Sequence, residues 1–406
     1  MVPKGWELSS IGKISDVSSG GTPSRNNEAY WNGNIPWVTT AEVQFKIIED
    51  TVEKITEEGL ANSSAKLFPA GTILMAMYGQ GKTRGQVAKL GIDASTNQAC
   101  AAIVLHTGYE VDFYYQFLIS QYENIREMAN SGGQQNLSGG IVKSIPVPVP
   151  PLTEQKKIAK ILSTWDKAIS VTEKLLTNSQ QQKKALMQQL LTGKKRLLDE
   201  NGVRFSGEWE VVRLKQLIHE EKKRNRDNHI QRVLSVTNHS GFVLPEEQFS
   251  KRVASEDVST YKIVKKNQYG YNPSRLNVGS FARLDNYDEG VLSPMYVVFS
   301  INHERLNSDY FLNWMSSNEA KQRIAGSTQG SVRDSVGFDA LCSFSFSLPT
   351  LMEQQKIAAV LSAADAEMSM LEKKLACLKE EKKALMQQLL TGKRRVKVES
   401  EETVSA

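Results

Sequence analysis

Apolar and polar positions alternate with a helical period along two stretches of this chain, and the two stretches are copies of one another. LTEQKKIAKILS at residues 152–163 returns as LMEQQKIAAVLS at 351–362, and KKALMQQLLTGK at 183–194 returns letter for letter at 382–393. Both pairs are offset by 199 residues (351 − 152 and 382 − 183), with no insertion or deletion between them. Alternating steps of four and three pick out Ile158, Leu162, Trp165, Ile169, Thr172, Leu176, Ser179, Lys183, Leu186 and Leu190, seven of ten apolar. The copy reads Ile357, Leu361, Ala364, Met368, Leu371, Leu375, Leu378, Lys382, Leu385 and Leu389, nine of ten apolar. That spacing is a heptad seam, and it predicts a helix from about Glu154 to Leu191 and a second like it, each roughly 55 Å long at 1.5 Å per residue. Gly193 and Gly392 supply a left-handed C-cap after each copy. Lys, Glu and Gln on the other faces rule out a membrane span, so the two seams are best covered by each other.

The repeat extends beyond the helices. GWELSSIGKI at 5–14 corresponds to EWEVVRLKQLI at 208–218, with Trp6 against Trp209, Glu7 against Glu210, Leu8 against Val211 and Ile11 against Leu214. Each half therefore opens on a Trp-Glu-apolar turn and closes on a long helix, while the contents between barely resemble each other. In the first half, residues 35–40, 71–79 and 99–105 are short apolar or β-branched runs bounded by Gly, Asn and Pro, which predicts strands. Residues 111–129 have helical spacing. The second half repeats the order, with strands over 232–236 and 296–301 and a helix over 308–325. Both halves end on an alternating strand, KSIPVPVPPL at 143–152 and CSFSFSLPTL at 342–351, whose prolines suit an edge and stop it before the long helix.

A chain of 406 residues is too long for one core. Its net charge of +5 permits an anionic partner without demanding one. Cys100, Cys342 and Cys377 are few and scattered, which points to a reducing cytoplasm rather than a disulfide framework. With no apolar run of eighteen residues and no signal-peptide pattern, the expectation is a soluble intracellular protein.

Several loops carry candidate chemistry. The Gly-rich stretch 18–37 offers Thr22, Ser24, Arg25 and Asn26, residue types that hold phosphates or read base edges. In MYGQGKTRGQ, at 77–86, Gly81-Lys82-Thr83 follows a strand as the end of a P-loop does. That pattern needs glycine five residues before Gly81, where Ala76 stands, and no helical period follows to receive phosphates. A glycine-flanked hairpin presenting Gln80, Lys82, Thr83, Arg84 and Gln86 to DNA is the better reading. Residues 130–140, with Gln134, Gln135 and Asn136, and 326–337, with Gln329 and Arg333, occupy the same place in the two halves. In the second half Lys222, Lys223, Arg224 and Arg226 form a basic run, Asn238 follows the first strand, and Asn272, Ser274 and Arg275 stand in order opposite the 79–84 loop. A basic run of this kind is more often a solvated face than a phosphate site.

Absences narrow the choice further. His106, His219, His229, His239 and His303 are dispersed without partners at ligand spacing, so no metal site is expected. The sequence has no G-x-S-x-G elbow, no dinucleotide fingerprint after a strand, and no Asn/Asp-Pro-Pro-aromatic motif of amino-group DNA methyltransferases.

The paired repeats PLTEQKKIAKIL and PTLMEQQKIAAVL, the shared KKALMQQLLTGK ends, the opening GWE and EWE turns and GGTPSRNNEAYWNGNIPWV together resemble the specificity subunit of a Type I restriction-modification enzyme. The resemblance covers essentially the whole chain. It implies an α+β fold in which two α/β target recognition domains alternate with two long helices forming an antiparallel coiled coil, pseudo-twofold symmetric. On that division 1–151 is the first recognition domain, 152–194 the first spacer helix, 195–207 a linker, 208–350 the second domain, 351–395 the second spacer helix and 396–406 a tail. The resemblance further implies a non-catalytic subunit that binds double-stranded DNA at a bipartite site and docks two methyltransferase and two restriction subunits. S-adenosylmethionine, ATP and Mg would then belong to those partners, and this chain would hold no cofactor. No base-reading residue carries over, because the recognition loops share no family motif. Two rival readings remain: a P-loop-like nucleotide-binding enzyme using Lys82 and Thr83, and a coiled-coil scaffold with no role on DNA.

Overall fold

The computed structural model describes residues 2–79, 81–130, 136–245, 257–328 and 335–397. Helices run over Leu152–Leu190 and Leu351–Leu389, 39 residues each. All twenty predicted seam positions are buried or half-buried, including the polar Thr172, Ser179 and Lys183. The chain divides into two compact units, and each takes one part of both helices: residues 1–173 with 373–406, and residues 174–372.

Within each unit the helices run antiparallel, and the same contacts hold them. In the first unit Lys382 pairs with Asp166 at 2.6 Å, and in the second Lys183 pairs with Asp365 at 2.5 Å. These pairs are related by the repeat offset (382 − 183 and 365 − 166 both equal 199). Leu162 and Ile158 pack with Met386, Leu389 and Leu390 in the first unit. Ile357 and Leu361 pack with Leu190 and Leu191 in the second.

The repeated Glu of each helix start sits in a buried clamp. Glu353, 1% exposed, accepts hydrogen bonds from Trp209 Nε1 (3.1 Å) and from Arg196 Nε and Nη2 (2.6 and 2.7 Å). Glu154 accepts from Trp6 Nε1 (3.2 Å) and from Arg395 Nε (2.9 Å) and Nη2. A buried carboxylate needs such partners, which explains why Trp, Glu and the arginine beyond each TGK recur together. The neighbouring glutamines close the helix starts: Gln155 donates to the Pro150 carbonyl and Gln354 to the Pro349 carbonyl. Gly193 and Gly392 adopt φ of 70° and 71°, the predicted left-handed caps. Trp209 lies against the first, where an added Cβ would meet its ring at 3.4 Å. Trp6 and Pro3 cover the second.

Each unit opens with a strand paired antiparallel to the strand before a long helix: Glu7–Ser10 with Pro146–Val149, and Glu210–Arg213 with Ser345–Leu348. Pro146 and Pro148 lie opposite Ser10 and Leu8. They alternate with Ile145, whose carbonyl accepts from the Ile11 amide at 3.0 Å, so the missing proline N–H groups fall at the non-bonded pairs. Beyond these ribbons the two units share a four-stranded antiparallel order. In the first it runs Ser15–Ser19, Cys100–Leu105, Ile73–Ala76, Val87–Leu90, with Ile47–Ile48 added parallel as a fifth strand. In the second it runs Ile218–Glu220, Val297–Ile301, Tyr269–Tyr271, Phe281–Arg283. The first unit adds a three-stranded sheet of Glu53–Ile55, Trp31–Val38 and Ser95–Thr96, and the second adds two two-stranded ribbons.

One expectation is corrected in both units. The helix predicted over 111–129 is two helices, Val111–Ser120 and Tyr122–Asn130, and that over 308–325 is Ser308–Met315 and Asn318–Thr328. At the first break the Gln121 amide is shared between the Phe117 and Leu118 carbonyls (3.1 and 3.2 Å). At the second, Ser317 Oγ accepts from the Ala320 amide (3.2 Å) and starts a new helix. The apolar period runs through each break, because both helices pack on the same core. The strand expected over 232–236 lies at Ser235–Thr237.

Candidate nucleic-acid interface

The hairpin of the first unit leaves the sheet at Ala76 and returns at Val87. Gly79, Gly81 and Gly85 have φ of 139°, 66° and 84°, conformations that side chains resist. Gly85 donates to the Ala76 carbonyl at 2.9 Å and Gln86 to the Thr83 carbonyl at 3.1 Å. A strand, Val87–Leu90, follows Thr83 where a phosphate-binding loop requires a helix, so the nucleotide reading is set aside. Lys82 is exposed at the tip, and Thr83, Arg84 and Gln86 are half-buried. The tip is fixed from behind: Arg126 Nη2 donates to the Gly81 carbonyl (2.9 Å), Tyr122 Oη donates to the Lys82 carbonyl, and Arg126 Nη1 donates to Tyr122 Oη (2.7 Å). Leu137 donates to the Met77 carbonyl at 3.0 Å, which brings exposed Asn136 to the base of the hairpin. Gln80, Gln134 and Gln135 lie outside the described residues.

In the second unit the corresponding strands are joined by a 3₁₀ turn, Pro273–Val278. Asn272 Oδ1 caps it, accepting from the Ser274 amide and hydroxyl (3.1 and 2.9 Å), so Asn272 shapes the loop while Ser274 and Arg275 are exposed. Val336 donates to the Pro273 carbonyl at 2.9 Å, the counterpart of the Leu137 contact one repeat away (336 − 137 = 199). Exposed Asn238 lies in the turn beside Gly279, where an added Cβ would meet the Asn238 Cβ at 3.4 Å. Gln329 and Arg333 lie outside the described residues.

The basic run 222–226 wraps around buried Asn225, which accepts from the Ile230 amide (3.1 Å) and donates to the Ile230 carbonyl (2.8 Å). This turns Lys222, Lys223, Arg224 and Arg226 outward around a concavity of about 560 Å³, together with His229, Asp227 and Ile263. Lys222 pairs with Glu220 at 3.1 Å, and Arg224 Nη1 donates to the Thr260 carbonyl at 2.9 Å. Burial pushes the nearby Lys262 ammonium below its ordinary range, and Arg224 and Lys222 add to that shift while Glu220 opposes it.

The loop at 22–26 follows a glycine whose backbone groups are bonded within the protein. Gly21 donates to the Thr96 carbonyl (2.9 Å) and its own carbonyl accepts from Trp37 Nε1 (2.9 Å), so its amide is spent on packing. Ser24, Arg25 and Asn26 are exposed beyond it. Arg25 makes a two-pronged contact with Glu53, Nη1 to Oε1 and Nη2 to Oε2 (3.0 Å), and lies 3.8 Å over the Trp31 ring and 5.0 Å from that of Trp37. The hydrogen bond from Arg25 holds the Glu53 carboxyl below its usual range. Thr22 bonds Gln98, and the adjacent Ala99 carbonyl accepts from Met77 at 2.9 Å, so residues 98–99 tie this loop to the hairpin.

With this arrangement in hand, the comparisons with known proteins are decisive. A family model described as the Type I restriction modification DNA specificity domain matches twice, over residues 3–178 and 206–380. The chain belongs to that family. Two Methanocaldococcus jannaschii relatives are similar: the Type I restriction enzyme MjaIX specificity subunit, 32% identical over 43% of this chain and 40% of its own, and the MjaVIII specificity subunit, 24% identical over 98% of this chain and 94% of its own. The Escherichia coli EcoR124I/EcoR124II specificity subunit is 30% identical over 42% of this chain and 43% of its own. The chain thus aligns with under half the length of the MjaIX and EcoR124I/EcoR124II subunits. The S subunit structure from M. genitalium superposes with a TM-score of 0.60 over 96% of both chains at 13% identity, which establishes the fold.

The matched family is one of DNA specificity domains, and in this chain the sequence missed the residues that hold the candidate loops in place. Glu53, Gln98, Tyr122 and Arg126 contact the predicted loops from 28 to 76 residues away, distances at which no local pattern gives a signal. Among the described residues no group of His, Cys, Asp and Glu is arranged to hold a metal, and no helix is long and apolar enough to cross a membrane.

Proposed function

We propose that this specificity subunit reads a two-part, asymmetric DNA target, one half-site per recognition domain, with 1–151 and 208–350 as the domains and 152–194 and 351–395 as spacers joined by the 195–207 linker. The observation that carries this reading is a pair of equivalent loops with unlike residues. The hairpin with Lys82, Arg84 and Gln86 and the turn with Ser274 and Arg275 join corresponding strands of the same four-stranded order. A common frame with different tips is what two readers of different sequences require. Lys222, Lys223, Arg224 and Arg226 supply phosphate contacts to the second half-site. Thr22, Ser24, Arg25, Asn26 and Asn136 serve the first and Asn238 and Asn272 the second, with Gln80, Thr83, Gln134, Gln135, Gln329 and Arg333 as further candidates for DNA contact.

Methylation and cleavage then fall to partners: two methyltransferase and two restriction subunits, which bring S-adenosylmethionine, ATP and Mg, in the cytoplasm. Mapping methylated sites in a host carrying the complex tests the proposal. Two short half-sites separated by a fixed unread gap are expected, and a single continuous target would overturn it. The scaffold alternative fails if the purified complex shifts DNA with a salt-dependent affinity, each neutralised phosphate adding about 0.9 to the log–log slope.

A further inference from the structure

We infer that Arg25 is a base-reading arginine set in a clamp, with Glu53 and Trp31 as its positioning residues and the paired acceptors of a guanine in the first half-site as its ligand. The inference rests on the DNA-reading proposal above and deepens it. An exposed arginine on a loop ordinarily samples many rotamers, and binding that fixes it loses that freedom. Here three groups fix it. Glu53 takes one N–H from each terminal nitrogen. Trp31 lies against the guanidinium face at 3.8 Å. The Trp31 ring is itself tied to the loop, its Nε1 donating to the Ser24 carbonyl at 3.1 Å, and stands edge-on to buried Trp37 at 5.1 Å.

Of the five N–H groups of a guanidinium, the contact with Glu53 uses two. Of the three that remain, the Nε–H and the outer N–H of one terminal nitrogen lie side by side on the other edge, and no described residue bonds Nε. The Arg25 side chain stays 52% exposed. Two parallel donors match a guanine's O6 and N7 or two phosphate oxygens equally well in geometry. Charge decides between them. The Arg25–Glu53 pair is neutral overall, so it displaces little of the counterion atmosphere that makes phosphate contacts favourable, and the carboxylate repels a phosphate. A neutral base edge carries no such penalty and benefits from a fixed plane.

The test uses the full chain with its methyltransferase partners, on the mapped target and on every single substitution of the first half-site, across a salt series. Arg25→Lys keeps the charge and loses the fork. It is expected to lose about 10- to 100-fold in affinity for the target, a loss that disappears on targets already altered at one G·C pair, with the salt slope unchanged. Glu53→Gln keeps the size and frees the cation, so discrimination at that same pair falls while the salt slope steepens by up to about 0.9. Melting temperatures of both variants control for loss of the loop. A loss that is equal on all sequences, with a shallower slope in Arg25→Ala, identifies a phosphate contact and overturns the inference. So does unchanged binding and discrimination in both variants, provided the unaltered complex still binds its target; if that complex shows no sequence preference, the DNA-reading proposal itself has failed.

Discussion

At Gly20 an added Cβ would lie 1.9 Å from the Thr96 carbonyl oxygen, and at Gly21 2.3 Å from the Ser64 carbonyl carbon, so backbone closes on both positions. Their composition invites a phosphate-cradle reading, because glycine serves close approach to a ligand and close approach to the protein's own chain alike. Only the fold distinguishes the two uses. Gly20→Ala is expected to destabilise the chain by about 1–3 kcal/mol or more, measured by denaturant unfolding, since the obstructing atoms are main chain. Lys82 is the opposite case: exposed, at a hairpin tip, legible from its flanking glycines. Lys82→Ala should lower DNA affinity on all sequences and reduce the salt slope by about 0.9, leaving thermal stability unchanged. An unaltered slope would remove the tip from the phosphate backbone.

At the scale of elements, the long helices were legible because a seam needs only period and length, and both survive in a linear string. The polar seam residues fit as well: Lys183 and Lys382 reach aspartates on the facing helix, and Ser179 Oγ donates to Glu367 at 3.4 Å. The shared four-stranded order was not legible, since inward positions require only apolar side chains and the two halves fill them differently. Ile73, Met75 and Ile103 serve in one, Tyr269, Tyr271 and Phe299 in the other. The clamps at the helix starts yield a graded prediction. Glu353→Ala leaves a largely buried guanidinium without its carboxylate and should cost about 3–5 kcal/mol in urea unfolding. Glu154→Ala should cost less, because the Arg395 side chain is 41% exposed against 20% for Arg196 and water can replace part of the lost pairing.

At the scale of the whole molecule, the repeat offset makes the helices interchangeable. A fragment of residues 1–206 carries Asp166 and Glu154 together with Lys183 and Arg196, the repeat equivalents of Lys382 and Arg395. Two such fragments can therefore supply each other's ion pairs. Expected is a dimer in sedimentation that, with methyltransferase partners, modifies a palindrome of the first half-site; a monomer inactive with those partners would count against equivalence of the repeats. The spacing role is open to a separate experiment. One heptad inserted after Lys174 and one after Lys374 falls between the ion-paired positions of each helix, keeps both seams in phase and adds about 10 Å. At about 3.4 Å per base pair the gap in the methylated target should widen by about three pairs with both half-sites retained. An unchanged gap would show that other elements set the spacing.

The central claim, that each recognition domain reads one half of one target, is tested most directly by exchanging one domain and mapping methylation across a genome. Residues 208–350 would be replaced by the corresponding segment of a relative with a different target, leaving the first domain and both helices intact. The predicted methylated site keeps its first half and its gap and acquires a new second half. A site altered in both halves, or in neither, would contradict the account.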